Sequence, residues 1–211
     1  MRTKKGARSL AASVGIMATT SSASSKAAAR SGEQAWAKTP KVNGEFFALT
    51  YGSMVMQLIK DYDDVTEVNK QLEKMGYNIG VRLIDEFLAK SGTPTCQSHR
   101  ETADVIAKVA FKMFLGIAAE VMNWNGERNS FSLVFFENPL TEFVELPPEM
   151  AGLVYSNMLC GCLRGALEMV QLKVECAFVR DTLKGDEVNE ITVEILQVME
   201  EQMGDDYKDN S

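Results

Sequence analysis

Cys96 and His99 are the side chains of this sequence whose types and spacing could do chemistry together. A cysteine thiol becomes a nucleophilic catalyst when a histidine lies within hydrogen-bond reach and a third group orients that histidine. His99 is the one histidine of the chain, and the sequence around it indicates no oxyanion site. We therefore expect no catalytic centre here.

Cys96 also lies in a short polar break, residues 91–99, which precedes a helix-patterned stretch rich in small apolar residues, 100–116. Because alanines let two packed layers leave space between them, this arrangement suggests a thiol at the mouth of a narrow apolar tunnel. The residues on or beside one face of that helix are Ala103, Ile106, Ala107, Ala110, Met113 and Leu115. On the residues alone, an ordinary core helix with close-packing alanines is the simpler interpretation.

The other cysteines, Cys160, Cys162 and Cys176, suggest no metal site and no disulfide framework. Four cysteines are sparse for a chain of 211 residues, and free thiols fit a cytosolic protein. Cys160 and Cys162 lie in an apolar, helix-like run, where cysteine behaves as a small hydrophobe. The sequence also lacks a glycine-rich phosphate loop, so we do not expect it to bind a nucleotide.

Charge is distributed unevenly along the chain. Residues 1–42 carry eight Lys and Arg residues and one acid, which gives +7, whereas the whole chain carries −7 and the remainder therefore −14. The region after residue 42 is therefore a poor candidate for nucleic-acid binding, because such binding depends on positive charge that neutralises phosphates. No run of 18 uninterrupted apolar residues is present, and any membrane contact is expected to be peripheral.

Composition divides the chain into three parts. Residues 1–42, rich in Ala, Ser and basic residues, are predicted to be a disordered extension. A transit peptide has a similar composition, and the basic residues could instead contact acidic phospholipids. Residues 43–200 are predicted to form the folded domain, and residues 201–211 an acidic flexible tail.

Apolar residues at helical spacing predict four helices in the first half of the folded domain. They cover about residues 47–62, 65–75, 79–88 and 100–116. Gly76 is expected to separate the second helix from the third, and Gly92 with Pro94 to end the third.

The second half predicts two β-hairpins with a helix between them. The expected strands are residues 118–124 with 130–136, and 174–179 with 190–195; an extended piece, 143–146, and a helix, 151–172, lie between the hairpins. Gly161 and Gly165, four residues apart, are predicted to be a close-packing notch. This order predicts an α+β fold, with an antiparallel sheet of about four strands and helices packed on one face.

Eight stretches of this domain together carry a family resemblance. They are Leu49–Gly52, Asp64–Leu72, Met75–Ile84, Arg100–Met113, Asn138–Leu140, Phe143–Pro147, Leu163–Gln171 and Asp181–Asp186. In this order they resemble subunit 3 of TRAPP, the transport protein particle. The resemblance covers most of residues 47–200 and does not extend to residues 1–42.

The resemblance implies a scaffold subunit that is not itself an enzyme. TRAPP tethers vesicles in ER-to-Golgi transport, and the assembled complex catalyses nucleotide exchange on a Rab GTPase. The domain is then expected to form heterodimers with related small TRAPP subunits through helices near Phe47–Tyr62 and Ala151–Leu172. The implied location is cytoplasmic and peripheral at the cis-Golgi and ER, with GTPase contact after Ile195.

The resemblance also implies a palmitoyl or similar acyl group on Cys96, held in an apolar channel in the core. The six helix residues beginning at Ala103 would line this channel, and no other cofactor is implied. Two alternatives remain open. A hydrophobic-ligand or haem sensor of related architecture would use the same space, with His99 as the axial ligand. An organelle-imported relative would use residues 1–42 as its targeting segment.

Overall fold

The computed structural model describes residues 24–199, which form helices and a four-stranded antiparallel sheet. The helices are α1 (24–38), α2 (Gly44–Asp61), α3 (Val65–Lys90), α4 (His99–Val105), α5 (Phe111–Leu115) and α6 (Asn157–Met169). A π-helical turn, Ile106–Ala110, joins α4 to α5. The strands are β1 (Glu120–Asn125), β2 (Ser130–Phe135), β3 (Leu172–Arg180) and β4 (Asn189–Val198).

The prediction that residues 1–42 are disordered is wrong for residues 24–38, which form helix α1. Alanine has the highest helix propensity of all residues, and this segment is rich in it. Its small side chains also let it pack closely: Ala28 and Ala35 are buried against Val109 and Met113. Residues 1–23 and the predicted acidic tail, 201–211, lie outside the described residues.

Capping side chains set the boundaries of α2 and α3. The Asn43 side chain accepts a hydrogen bond from Phe46 N at 2.7 Å, and the Asp64 side chain accepts one from Thr66 N at 2.9 Å. Each satisfies a backbone donor that a helix start leaves free. The break predicted near Asp61–Asp64 is therefore present between α2 and α3.

The predicted interruption at Gly76 is wrong, because α3 runs unbroken from Val65 to Lys90. Gly76 instead permits close helix contact: a Cβ there would lie 2.0 Å from the carbonyl oxygen of Met158 on α6. Reciprocally, a Cβ on Gly161 would lie 2.0 Å from the carbonyl oxygen of Glu73, and one on Gly165 would lie 2.3 Å from that of Tyr77. The two glycines of α6 thus form the predicted notch, and α3 lies in it.

Two expectations for the segment before α6 are corrected. Residues 143–146, predicted to be an extended piece, form a turn at Phe143 followed by irregular structure, and α6 begins at Asn157 rather than near 151. The side chain of Asn69 supplies the reason for the later start of α6. Its Oδ1 accepts from Val154 N at 2.8 Å and its Nδ2 donates to Gly152 O at 3.0 Å. These bonds satisfy backbone groups that would otherwise need a helix or a strand.

The sheet has the strand order β1-β2-β4-β3, and all neighbours are antiparallel. Both predicted hairpins are present, and the α+β prediction is confirmed. Side chains alternate between the faces: Leu133 opposite Ile191 and Phe131 opposite Val193 are buried in the core with residues of α3 and α6. The other face carries polar residues such as Thr192 and Glu194. The helices therefore cover one face, as predicted.

Candidate functional site

The helical layer contains an open-mouthed cavity of about 1240 Å³. Its walls come from α2, α3, the α4–α5 segment, α6 and the loop between α3 and α4. Most of the lining side chains are aliphatic or aromatic, among them Met54, Leu83, Phe87, Ile106, Phe111, Leu159 and Leu163. The volume exceeds the roughly 300–1,000 Å³ typical of small-ligand sites, and the lining suits a large hydrocarbon.

The π-helical turn shapes the wall formed by the α4–α5 segment. Phe111 N donates to Ile106 O, five residues back, and Ala119 N donates to Ala107 O at 2.9 Å. The turn thus adds one residue to the helix and leaves the Ala107 carbonyl able to bind the chain that leads into β1. Such turns occur in helices as single-turn insertions, frequently at functional sites.

The structure places three of the six predicted lining residues on the cavity and three elsewhere. Ile106, Ala110 and Leu115 line it. The other three do not: Ala103 and Ala107 are fully buried in the main core, and Met113 packs beneath α1. The wrong assignments lie on both sides of the π-helical turn: the cavity face carries Thr102 and Val105 rather than Ala103 before the turn, and Phe114 rather than Met113 after it.

Cys96 lies on the cavity wall and is half-buried. Burial raises the pKa of its thiol, the neighbouring Thr102 hydroxyl partly opposes this effect, and the Glu101 carboxylate adds to it. The loop is held by the start of α4, where Ser98 Oγ accepts from Glu101 N at 3.2 Å. Cys96 therefore stands next to a fixed helix end, in its neutral thiol form at pH 7.

Cys162 is a lining residue that the sequence analysis missed. It comes from α6, and burial raises the pKa of its thiol to about 12. Its place in an apolar helical run predicts a buried residue but does not distinguish solid core from cavity wall. His99 and Thr102 also line the cavity, and with Cys96 they give this part of the wall a polar character.

The cavity opens onto an apolar rim. Five large hydrophobic residues both line it and are exposed at the surface: Phe47, Ile79, Leu88, Val170 and Val198. Monomeric soluble proteins seldom expose contiguous apolar surface of this kind unless it contacts something. Within residues 24–199, no helix is both long enough and apolar enough to cross a membrane.

The model of the family described as "Transport protein particle (TRAPP) component" matches residues 47–194. The chain belongs to the TRAPP family. It is 56% identical over 169 residues to "Trafficking protein particle complex subunit 3" of Dictyostelium discoideum, a match that covers 80% of this chain and 91% of that protein. It is 48% identical to the Saccharomyces cerevisiae subunit BET3, with 89% and 97% covered. These relatives place it in the subunit 3 branch.

A solved structure resembles this chain in sequence and in fold. It is a trafficking protein particle complex subunit 3 from Naegleria fowleri, 52% identical, with a TM-score of 0.74. The match covers 77% of this chain and all of that one. The Naegleria protein is described as covalently bound to palmitic acid. The TRAPP fold of the present chain thus has a relative that holds a fatty acyl group.

Proposed function

We propose that Cys96 carries a thioester-linked palmitoyl or similar acyl group whose hydrocarbon chain occupies the cavity. The observation that carries this proposal is a half-buried thiol on the wall of an apolar cavity of about 1240 Å³. Ile106, Ala110 and Leu115 extend the apolar wall beyond the thiol. The palmitate bound to the Naegleria relative supports the same assignment.

Such a chain would act as part of the core. At about 0.8 kcal/mol per buried CH₂, roughly fifteen methylene and methyl groups contribute on the order of 10 kcal/mol before entropy losses. This is as large as the net stability of a typical domain, about 5–15 kcal/mol. A chain buried so favourably does not serve as a membrane anchor while it stays in the cavity.

The protein then serves as a core scaffold subunit of a TRAPP complex that tethers vesicles in ER-to-Golgi transport. It pairs with other small TRAPP subunits to form a heterodimer, and it supports nucleotide exchange on a Rab GTPase by contributing surface rather than catalytic groups. The exposed apolar side chains of α2, Phe46, Leu49 and Met56, support helix-mediated pairing. Its place is cytoplasmic and peripheral at the cis-Golgi and ER.

Intact-mass spectrometry tests the acyl assignment on protein made in a eukaryotic host. We expect an added mass of about one fatty acyl group, removed by neutral hydroxylamine, because hydroxylamine cleaves thioesters. Cys96→Ser should abolish the addition. Cys162→Ser is the matched control, because Cys162 lines the same cavity and should leave the addition in place. An unmodified wild-type protein, or an acyl group retained in Cys96→Ser, contradicts the assignment.

A further inference from the structure

Helix α1 packs directly on the backbone of the π-helical turn. Three positions of α1 that face the body are small: Ala28, Gly32 and Ala35. A Cβ on Gly32 would lie 2.1 Å from the carbonyl oxygen of Lys108 and 3.3 Å from Cα of Val109. No side chain larger than hydrogen fits there, so this contact depends on the glycine.

The side chains beneath α1 also form the wall of the cavity. Ala28 and Ala35 pack in one cluster with Val109 and Met113, neither of which lines the cavity. The other members of the cluster all line it: Ile84, Phe87, Cys96, Val105, Ala110 and Phe114. A single layer of side chains therefore separates α1 from the cavity, and Cys96 belongs to that layer.

The attachment of α1 depends on a few small buried side chains, one ion pair and one aromatic contact. It buries small side chains, and its ion pair, Glu33 Oε1 to Lys112 Nζ at 3.0 Å, has a glutamate side chain that is 67% exposed. Exposed ion pairs add little stability. Trp36 packs over Gly116 at the end of α5. Segments with few buried apolar contacts open at a lower free energy than the whole domain unfolds.

We propose that α1 is a releasable strap that controls chemical access to Cys96. When docked, it holds the wall around Cys96 in place; when released, it leaves Val109 and Met113 uncovered and lets the wall loosen. This rests on the proposed acylation of Cys96, because the strap would then set how fast the acyl group is attached or removed. The strap acts from outside the cavity and does not touch the hydrocarbon chain.

Gly32→Ala tests the strap in the full-length acylated protein. Alanine favours the helix relative to glycine, but its Cβ would collide with Lys108 O. Helix α1 should therefore remain helical but no longer pack on the π-helical turn. Neutral hydroxylamine reports access to Cys96: its nitrogen bonds to the thioester carbonyl carbon, the carbon–sulfur bond breaks, and the sulfur leaves as a thiol. We expect several-fold faster loss of the acyl mass than in wild type.

Matched substitutions separate release of α1 from general effects. Gly44→Ala is the control for Gly32→Ala, because a Cβ at Gly44 meets nothing within 4 Å. Ala35→Glu, which places a charge against the buried cluster, should also accelerate cleavage. Ala37→Glu, at an exposed position of the same helix, should not.

Hydrogen exchange of residues 24–38 decides between the outcomes. Faster exchange together with faster cleavage in Gly32→Ala and Ala35→Glu supports the strap. Faster exchange with unchanged cleavage overturns it, and so does unchanged exchange in both variants. If no acyl group is found, maleimide labelling of Cys96, followed by peptide mass, applies the same test. Faster labelling then supports the strap although the acyl assignment has failed.

Discussion

At the scale of single residues, the environment of Cys96 makes its reactivity depend on pH in a defined direction. Burial raises the pKa of the thiol above its ordinary value of about 8.5. Since the thiolate is the nucleophile, alkylation of Cys96 in unacylated protein should be slower at pH 7 than that of a free cysteine. Its rate should keep rising above pH 8.5. Iodoacetamide labelling of the Cys96 peptide, measured against pH, checks this.

Thr102 gives that measurement a matched pair of variants. Its hydroxyl lowers the pKa of Cys96 against the larger effect of burial. Thr102→Val should therefore move the apparent pKa of labelling further up, whereas Thr102→Ser, which retains the hydroxyl, should stay near wild type. An apparent pKa below that of free cysteine in the wild-type protein would contradict this account of the thiol's surroundings.

Residue patterns alone draw attention to Cys96 but favour an ordinary core helix beside it, and they define its surroundings only in part. The polar break before an alanine-rich helix is visible in the sequence, and the structure places Cys96, Ile106, Ala110 and Leu115 on one cavity. The π-helical turn is not visible, because its extra residue leaves no compositional mark. Cys162 shows the same limit: an apolar helical position has the same composition whether it faces solid core or open space.

At the scale of helices, the contact between α3 and α6 is a second feature that depends on glycine. Gly161→Ala should destabilise the domain, because its Cβ would lie 2.0 Å from the backbone carbonyl oxygen of Glu73. Overpacking of this kind costs about 1–3 kcal/mol, against a helix-propensity gain of about 1 kcal/mol. We expect a net loss of up to about 2 kcal/mol in urea unfolding. Gly44→Ala, in open space, should cost nothing.

Helix boundaries show what sequence patterns can and cannot establish. The caps at Asn43 and Asp64 are short-range signals, and the structure contains both. Gly76 is ambiguous, because a glycine that ends a helix and one that lets two helices touch look the same in a sequence. The predicted helix start near residue 151 is wrong for another reason. Asn69, more than 80 positions away, bonds to the backbone of Gly152 and Val154.

At the scale of the whole molecule, the chain presents two unequal surfaces. The outer face of the sheet carries polar residues such as Thr192 and Glu194 beside the exposed Met122, whereas α2 exposes Phe46, Leu49 and Met56, and further large hydrophobic residues surround the mouth of the cavity. Association driven by apolar burial therefore favours the helical side. A partner seated there would cover both the helices and the rim, so assembly and retention of the acyl chain would reinforce each other.

This arrangement predicts how assembly should respond to charge on either side. Leu49→Glu on α2 should weaken co-purification with the small TRAPP subunits by tenfold or more, because a carboxylate would be buried at the interface without a partner. Met122→Glu is the matched control, because Met122 is a similarly exposed hydrophobic residue on the outer sheet face. Size-exclusion chromatography of mixed subunits, at concentrations spanning the wild-type Kd, measures the change. Equal assembly by both variants would show that the helical side is not the pairing surface, since Leu49→Glu leaves the interior of the domain intact.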